Sequence, residues 1–342
     1  MSPPPLIFLI AGEASGDQLG AALMSSLKKL QKVRFAGIGG PAMKAEGLKS
    51  LFPMEDLSII GLFGILRRLK LLLGRLRLTV STIEKLKPDV VVTIDAPEFS
   101  FRVMKRLHKF PERPRLVHYV APTVWAWRSG RAQKVSRFLD HLLCLYPFEP
   151  PYFEKYGLKS TFVGHPIACE TFKKVKHDPN LLCVLPGSRC SEIETLLPIF
   201  RKTVTLLKRD FSQLHIILPT LPSVESFVQK GIEDWPCEVQ VVLGDEARKQ
   251  AFRKSTAALA ASGTIALQLS AARLPFVIAY KIGKVSSWIA RYLLKTPWVC
   301  MVNILLNKTC IPEFLQEDCT PEKLSLAVEQ LLRNPDALQR WI

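Results

Sequence analysis

The sequence predicts an α/β protein made of two αβ domains that face each other across a central cleft. Two observations support this prediction. The apolar run Leu6–Ala11 is followed by a tight turn, Gly12–Asp17, and then by a helical pattern. The same succession opens the second half, where Leu181–Leu185 runs into Pro186, Gly187 and another helical pattern. Short apolar runs bounded by turn residues are typical of buried strands, and their alternation with helices is typical of parallel sheets.

Length and composition limit the class of protein. The 342 residues suffice for two domains of ordinary size, and an apolar content of 48% argues against disorder. Eight cysteines without a CxxC pair predict reduced thiols in the cytosol rather than a disulfide scaffold or a zinc site. We expect no signal peptide, no membrane-spanning segment, no metal and no cofactor, because none of the corresponding sequence patterns is present.

The formal net charge of +17 predicts an anionic partner. Acidic lipid, nucleic acid and phosphorylated substrates all qualify, and an effect on solubility alone is the plainer alternative. We expect no nucleic-acid partner, because no known module and no face of aromatic residues interleaved with Lys and Arg is present. The first strand is not followed by GxGxxG, which argues against a dinucleotide oxidoreductase.

The first domain continues with a helix from Asp17 to about Lys29 and a strand over Val33–Ala36. The glycine-rich stretch Gly37–Pro41 then allows the backbone to approach a ligand closely, or serves as a plain strand-to-helix turn. The sequence does not decide between these two roles.

The segment Leu57–Val80 is the most unusual, because it combines an apolar helical stripe with dense positive charge. A helix that packs on the core explains the stripe alone. A basic amphipathic helix that lies in the headgroup region of an anionic membrane explains both features, so we favour membrane contact. The residues predicted to make it are Leu62, Ile65, Leu66, Arg67, Arg68, Leu69, Leu72, Leu73, Arg75 and Leu76, and Leu71 and Leu78 fall among the basic residues.

Asp95 follows the β-branched run Val90–Ile94, which predicts a central strand buried on both faces. A carboxylate at the C-terminal end of such a strand faces the ligand-binding side of an open parallel sheet. Partial shielding from water raises the pKa of a carboxyl group and suits it to accept a proton. The alternative is that Asp95 only caps the helix that starts near Phe99.

Further strands are predicted over Leu116–Val120, His141–Leu145 and Thr161–Gly164, and the first domain is expected to end at residue 168. Trp125 and Trp127 follow the first of these strands beside Arg128, where they line a sugar or acyl pocket or belong to the core.

The second domain, residues 169–342, is predicted to bind a phosphate at two strand-to-helix turns. In the first turn Ser188 is expected to cap the helix, and the guanidinium of Arg189 can hold a phosphate with two hydrogen bonds. The second turn is Ser262-Gly263-Thr264, which follows the strand Ala257–Ala260 and offers hydroxyl and backbone N–H groups. Asn303 is expected in a loop and Glu313 near a short helix.

Several motifs stand in an order that resembles lipid-A-disaccharide synthases, and the resemblance covers essentially the whole chain. The matching motifs are Gly12–Asp17, Gly39–Met43, Ile94–Pro97, Val124–Trp127, Gly164–Pro166, Leu185–Arg189 and Ser262–Thr264. The resemblance implies two Rossmann-like domains facing a central cleft, the GT-B architecture of inverting glycosyltransferases.

The resemblance also implies a reaction and a place in the cell. UDP-2,3-diacylglucosamine and 2,3-diacylglucosamine 1-phosphate would give the tetra-acyl disaccharide 1-phosphate of lipid A and UDP. The enzyme would be a peripheral protein of Gram-negative bacteria, on the cytoplasmic face of the inner membrane, and a homodimer is possible. The implied catalytic residues are Asp95, Glu13, Ser15, Asp17 and Arg189, and those at the UDP-sugar are Gly187, Ser188, Arg189, Ser262, Gly263, Thr264, Gln268, Asn303 and Glu313.

Two features depart from the family pattern. Gln268 stands where relatives carry a glutamate for the ribose hydroxyls, and an amide binds a hydroxyl less strongly than a carboxylate does. Relatives continue beyond the position of Ile342, so we expect the second domain to lack the family's last helices. The alternatives are a GT-B enzyme for another UDP-sugar and a relative that binds membranes without catalysis.

Overall fold

The computed structural model describes residues 3–57, 62–125, 130–170, 177–263, 265–281 and 296–334, with the backbone alone at 62–68 and 169. The chain divides into two compact units, Met1–Pro166 and Ile167–Ile342. Each unit contains a parallel sheet of six strands, and helices connect the strands. The predicted α/β fold with two Rossmann-like domains is therefore confirmed.

The first unit has the strand order β2-β1-β3-β4-β5-β6. Its elements are β1 (Leu6–Ala11), α1 (Ala14–Leu30), β2 (Arg34–Ile38), α2 (Pro41–Ala45), a 3-10 turn (Met54–Asp56), α3 (Leu62–Leu86), β3 (Val90–Ile94), α4 (Pro97–Leu107), β4 (Arg115–Tyr119), α5 (Gly130–Val135), β5 (His141–Cys144), α6 (Pro151–Glu154), β6 (Ser160–Phe162) and a 3-10 turn at its end (Pro166–Cys169).

The core of this unit follows from the sequence pattern. All six residues of β1 are buried, as expected for a strand with neighbours on both sides. The connection through α1 and the connection through α4 run in opposite directions along the sheet, so right-handed crossovers place these helices on opposite faces. Helix α3 packs on the face of α4, with Leu76 and Ile83 in the same hydrophobic cluster as Val103 and Leu107.

The second unit has the strand order β12-β11-β10-β7-β8-β9, with hydrophobic clusters on the two faces of the sheet. Its elements are β7 (Asp178–Leu185), α7 (Cys190–Leu207), β8 (His215–Thr220), a 3-10 turn (Pro222–Val224), α8 (Glu225–Ile232), β9 (Val239–Leu243), α9 (Asp245–Lys254), β10 (Ser255–Ala261), α10 (Ile265–Ala271), β11 (Phe276–Tyr280), α11 (Met301–Leu306), β12 (Glu313–Leu315), a 3-10 turn (Gln316–Asp318) and α12 (Pro321–Arg333).

One local prediction in this unit is wrong, because Asn303 lies inside α11 rather than in a loop. Glu313 is the first residue of β12 and lies three residues before the 3-10 turn Gln316–Asp318, so it stands near a short helix as predicted. Helix α11 and strand β12 are both short, and β12 pairs only with β11, so neither carries a periodic pattern long enough to detect.

Within the described residues, none of the helices combines the length and apolar character that crossing a bilayer requires.

Candidate active site

Asp95 lies in a strained turn at the carboxyl end of β3. Asp95 and Ala96 both have left-handed backbones, with φ of +50° and +44°, a conformation that costs non-glycine residues about 1 kcal/mol or more each. The turn is held at both sides, because the Asp95 N–H donates to Tyr119 O (3.0 Å) and the Ser100 hydroxyl donates to Asp95 O (2.8 Å). Burial raises the pKa of the Asp95 carboxyl, partly offset by the backbone N–H of Ala96. The site thus presents a carboxylate suited to accept a proton.

The glycine turn after β1 lies directly beside this carboxylate turn. A Cβ on Gly12 would lie 2.8 Å from the Cβ of Ala96, so a side chain there has no room. A Cβ on Gly16 would approach Ile94 O to 3.3 Å. Glu13 and Ser15, both predicted as catalytic, are exposed where α1 begins, close to this edge of the sheet.

Replacing Gly12 by alanine is expected to displace the Asp95–Ala96 turn, because the new methyl meets a Cβ atom that cannot rotate away. We expect a loss of about 1–3 kcal/mol in the free energy of unfolding and a larger relative loss of kcat. Gly74→Ala is the matched control, because nothing lies within 4 Å of that Cβ in α3. Urea unfolding measures the stability of both variants, and initial rates measure their kcat. Equal changes of stability and kcat in the two variants would contradict the packing argument.

Asp17 does not serve the role that the resemblance implied. Its side chain is 3% exposed, and its carboxylate accepts the backbone N–H groups of Gly40 (2.8 Å), Ala42 (2.8 Å) and Met43 (3.0 Å). These groups form the start of α2, which has no other side-chain cap. Asp17 therefore anchors the glycine-rich stretch after β2, and that stretch is a strand-to-helix turn.

Glu149 is a buried carboxyl group that the sequence did not single out. It is 2% exposed, it accepts the backbone N–H of Tyr146 (3.0 Å), and the indole N–H of Trp125 points to it at 3.4 Å. Trp125 also packs edge-to-face on Phe148, which places it in the core between two loops. Burial raises the pKa of Glu149 to about 7, against the lowering effect of its hydrogen bonds. Trp127 and Arg128, which the sequence analysis grouped with Trp125, lie outside the described residues.

Glu149 is expected to make the unit less stable as the pH rises from about 4.5 to 7. The unfolded chain deprotonates near pH 4.5 while the folded chain keeps its proton to about pH 7, so stability is lost across this window, on the order of 3 kcal/mol in total. Glu149→Gln removes the titration. We therefore expect the stability difference between the two proteins in urea to change across this pH range, and a constant difference would contradict the assignment.

The buried His118 stays neutral. It lies under Phe101 with its Nδ1 2.7 Å from the Thr93 hydroxyl, and burial lowers its pKa to about 3.

Several residues of α3 that were predicted to contact a membrane face the core of the first unit instead. Leu72 and Leu76 are buried in the hydrophobic cluster of the first unit. Arg75 pairs with Asp56 at 2.7 Å and lies over the ring of Phe52. These three side chains therefore do not meet lipid, which corrects the prediction for them, and Leu73 is partly buried. The side chains of Leu62, Ile65, Leu66, Arg67 and Arg68 lie outside the described part of the chain.

The outward face of α3 carries Leu69, which belongs to the predicted membrane residues, together with Leu71 and Leu78, which do not. Leu71 and Leu78 are 37% and 38% exposed, and Leu69 is exposed to a similar extent at 38%. Lys70 and Arg77 stand exposed beside them. From Leu69 onward, where the side chains of α3 are described, its leucines thus divide between a side that packs on the core and an outer side that a membrane surface can reach.

In the second unit, the turn after β7 places Gly187, Ser188 and Arg189 at the carboxyl edge of the sheet. The predicted cap is wrong: Arg189 is the N-cap residue of α7, and no side chain caps it. Instead, Ser188 donates its backbone N–H to Glu192 Oε2 (3.0 Å), and Arg189 Nη1 lies 2.8 Å from Glu192 Oε1. The Arg189 side chain is 73% exposed, so its remaining donors face solvent.

The second predicted phosphate turn lies on the neighbouring strand. Ala260 of β10 pairs with Leu185 of β7, which brings Ser262 and Gly263 to the same edge as Gly187. Gly263 has φ of +156°, a conformation that favours glycine. The Ser262 hydroxyl donates to Val299 O (3.2 Å). Thr264 lies outside the described residues.

Asn303 and Glu313 form hydrogen bonds within the unit that support this turn, rather than facing a ligand. The buried Asn303 amide donates to Ile311 O (2.8 Å) and Glu313 Oε1 (2.5 Å) and accepts the backbone N–H groups of Cys310 and Ile311. Glu313 Oε2 accepts the N–H of Val299 (2.8 Å), the residue that holds Ser262. Their polar atoms are engaged within the unit, which corrects their predicted contact with UDP.

Gln268 is half-buried in α10. Among the described residues no hydrogen-bond partner reaches its buried Oε1 atom. The described residues also contain no group of three His, Cys, Asp or Glu side chains close enough to hold a metal ion.

Several solved structures share the fold of this chain at low sequence identity. The UDP-GlcNAc 2-epimerase of Neisseria meningitidis, bound to UDP-GlcNAc, superimposes with a TM-score of 0.64 at 11% identity over 98% of this chain and 93% of its own. MurG of Acinetobacter baumannii gives a TM-score of 0.54 at 15% identity over 99% and 95%.

Comparison of sequences identifies the family. The profile of the family described as lipid-A-disaccharide synthetase matches residues 7–340. The lipid-A-disaccharide synthase of Rhodospirillum centenum is 51% identical over 99% of this chain and 88% of its own length. That of Paramagnetospirillum magneticum is 48% identical over 97% and 89%. The chain belongs to the lipid-A-disaccharide synthase family.

Proposed function

We propose that this chain transfers a 2,3-diacylglucosaminyl group from UDP to the 6-hydroxyl of 2,3-diacylglucosamine 1-phosphate. The products are the lipid A disaccharide 1-phosphate and UDP, with inversion at the anomeric carbon. Membership of the family supports the reaction class. The structural observation that supports the catalytic step is the strained, partly buried turn that contains Asp95. Such strain is typical of functional sites, where the surrounding structure must maintain it.

Asp95 is the general base in this proposal. As the acceptor oxygen forms its bond to the anomeric carbon, the bond from that carbon to the diphosphate oxygen breaks and the hydroxyl proton passes to the Asp95 carboxylate. The raised pKa of Asp95 makes it a stronger base than an ordinary aspartate. Gly12 permits the turn that presents the carboxylate, and Glu13 and Ser15 are candidates for contacts with the acceptor.

Arg189 stabilises the leaving group. The diphosphate gains negative charge as its bond to the sugar breaks, and donors aimed at that charge lower the barrier. Arg189, the Ser188 N–H and the Ser262–Gly263 turn all lie at the carboxyl edge of neighbouring strands. The Oε1 atom of Gln268, for which no described residue supplies a donor, is an acceptor suited to a ribose hydroxyl.

The assay that tests this function mixes the purified chain with both diacyl substrates in detergent micelles and detects UDP and the disaccharide by mass spectrometry. UDP-GlcNAc in place of the diacyl donor tests the alternative of another UDP-sugar. Release of UDP from the latter alone would contradict the proposed substrate, and UDP binding without turnover would favour a non-catalytic relative.

We also propose that the first unit binds the anionic cytoplasmic face of the inner membrane, where the acyl substrates reside. Residues 1–166 hold 25 Lys and Arg against 13 Asp and Glu, a surplus of 12, whereas residues 167–342 carry 22 against 17, a surplus of 5, which accounts for the total of +17. Helix α4 packs on the same face of the sheet as α3. It adds the exposed basic residues Arg102, Lys105 and Arg106, and the turn after it adds Lys109. Each basic residue near an anionic surface contributes about 1 kcal/mol.

Leu71→Ser with Leu78→Ser is expected to reduce co-sedimentation with vesicles containing phosphatidylglycerol by about tenfold, since two leucines leave the lipid phase. The matched control replaces Leu30 and Leu326, which are 80% and 62% exposed on α1 and α12, by serine. An equal loss in both variants would indicate nonspecific stickiness, and no loss in either would contradict membrane contact through α3. A homodimer stays a prediction, which sedimentation equilibrium tests.

A further inference from the structure

The Glu192 carboxylate accepts hydrogen bonds from both types of donor in the turn after β7, a backbone N–H group and an arginine side chain. One carboxylate oxygen accepts the backbone N–H of Ser188 (3.0 Å), and the other pairs with the guanidinium of Arg189 (2.8 Å). The Glu192 side chain folds over Gly187, where a Cβ would lie only 2.5 Å from Oε2. Gly187 has φ of +121°, so both its conformation and the space that it leaves admit the carboxylate.

This arrangement exceeds ordinary helix capping. A glutamate in the third position of a helix usually reaches back to the backbone N–H of the N-cap residue. Glu192 reaches one residue further, to Ser188, and also holds the N-cap side chain of Arg189. A backbone N–H at a helix start together with an arginine fork is the donor set that binds phosphate in proteins.

Tyr280 lies within electrostatic range of the same pair. It ends β11, and burial raises the pKa of its phenol, with the charge of Glu192 adding to the effect and that of Arg189 opposing it. The carboxylate therefore sits among residues contributed by two strands of the sheet. It is part of the site edge rather than of the outer surface of α7.

We propose that Glu192 is an internal competitor for the diphosphate of UDP and thereby sets the affinity of the enzyme for its nucleotide. The inference rests on the proposed function, which places the diphosphate at Arg189. The other donors of the Arg189 guanidinium face solvent, but for phosphate oxygens to reach its Nη1 atom and the Ser188 N–H, the Glu192 carboxylate must leave them. The same carboxylate returns to these donors as UDP departs, so it accelerates product release at the cost of affinity.

The test measures UDP binding by isothermal titration calorimetry in wild type, Glu192→Gln and Glu194→Gln. Glutamine keeps an acceptor for Ser188 but forms no ion pair with Arg189, so we expect Kd to fall by about five- to tenfold. Glu194 is exposed on the same helix and loses the same charge, so its variant controls for long-range electrostatics. We expect less than about a twofold change for it.

A third variant separates contact from charge. Glu192→Asp keeps the negative charge but is too short to reach both donors, so we expect it also to bind UDP more tightly than wild type. Weaker binding by Glu192→Gln would mean that Glu192 positions Arg189 for phosphate, and equal shifts in Glu192→Gln and Glu194→Gln would reduce the effect to net charge; either result overturns the proposal. If wild type and all variants fail to bind UDP, the proposed function itself fails. Circular dichroism confirms that α7 is intact in each protein.

Discussion

Replacing Asp95 by asparagine is expected to lower kcat by about a thousandfold, within the range that general base catalysis contributes. Asparagine has nearly the same shape and tolerates the left-handed backbone that residue 95 adopts, with φ of +50°. The loss therefore reflects the missing proton acceptor rather than a rearranged turn. Initial rates with both diacyl substrates measure the effect, and calorimetry is expected to show unchanged UDP affinity.

Glu98→Gln is the matched control for this variant. Glu98 lies in the first turn of α4, three residues from Asp95, and its exposed carboxylate pairs with Arg131 at 2.7 Å. We expect it to change kcat by less than about twofold. Turnover near the wild-type rate in Asp95→Asn would remove Asp95 from the role of base. An acid limb of the pH–rate profile at the ordinary pKa of an aspartate would contradict the raised pKa caused by burial.

Arg189→Ala is expected to lower kcat by about a hundredfold or more, the size of effect found when one donor to a developing negative charge is removed. Arg189→Lys keeps the charge but loses the planar fork, so we expect it to recover only part of this loss. The measurements are kcat and the Kd of UDP.

Arg201→Ala tests whether any arginine on α7 would behave in this way. Arg201 lies on the same helix, is exposed, and pairs with Asp234 at 3.5 Å. We expect its replacement to leave kcat and the Kd of UDP within about twofold of the wild-type values. If Arg189→Ala keeps kcat and changes only UDP affinity, Arg189 binds ground state and transition state equally and does not act on the leaving group.

The sequence was sufficient for several strands of both sheets and for the functional residues that follow two of them. Leu6–Ala11 and Val90–Ile94 were predicted with the bounds that the structure has, because short apolar runs bounded by turn residues have few other interpretations. Parallel pairing then places Asp95 at one sheet edge and Arg189 at another, without knowledge of any tertiary contact.

Roles that depend on which partner a side chain finds could not be predicted. Asp17 and Asn303 look like site residues in the sequence, yet each saturates backbone groups within its own unit. The helical periodicity of α3 gave two apolar faces, and only packing shows that Leu76 belongs to the core while Leu78 is exposed. Glu149 was missed because its burial arises from two loops that meet only in the folded chain.

The strand order of the second sheet has a consequence for how the protein is made. The apolar strand β7 lies between β8 and β10, but β10 ends at Ala261, 76 residues after the end of β7 at Leu185. At about 5–20 residues per second, a ribosome needs several seconds to supply that missing neighbour. Throughout this interval one edge of the apolar strand β7 is unpaired in the nascent chain, and such edges can pair with other chains and aggregate. The first half has the same feature, because β1 lies between β2 and β3, and β3 ends at Ile94, 83 residues after the end of β1 at Ala11. Synthesis of both halves is therefore expected to depend on chaperones that cover these strand edges.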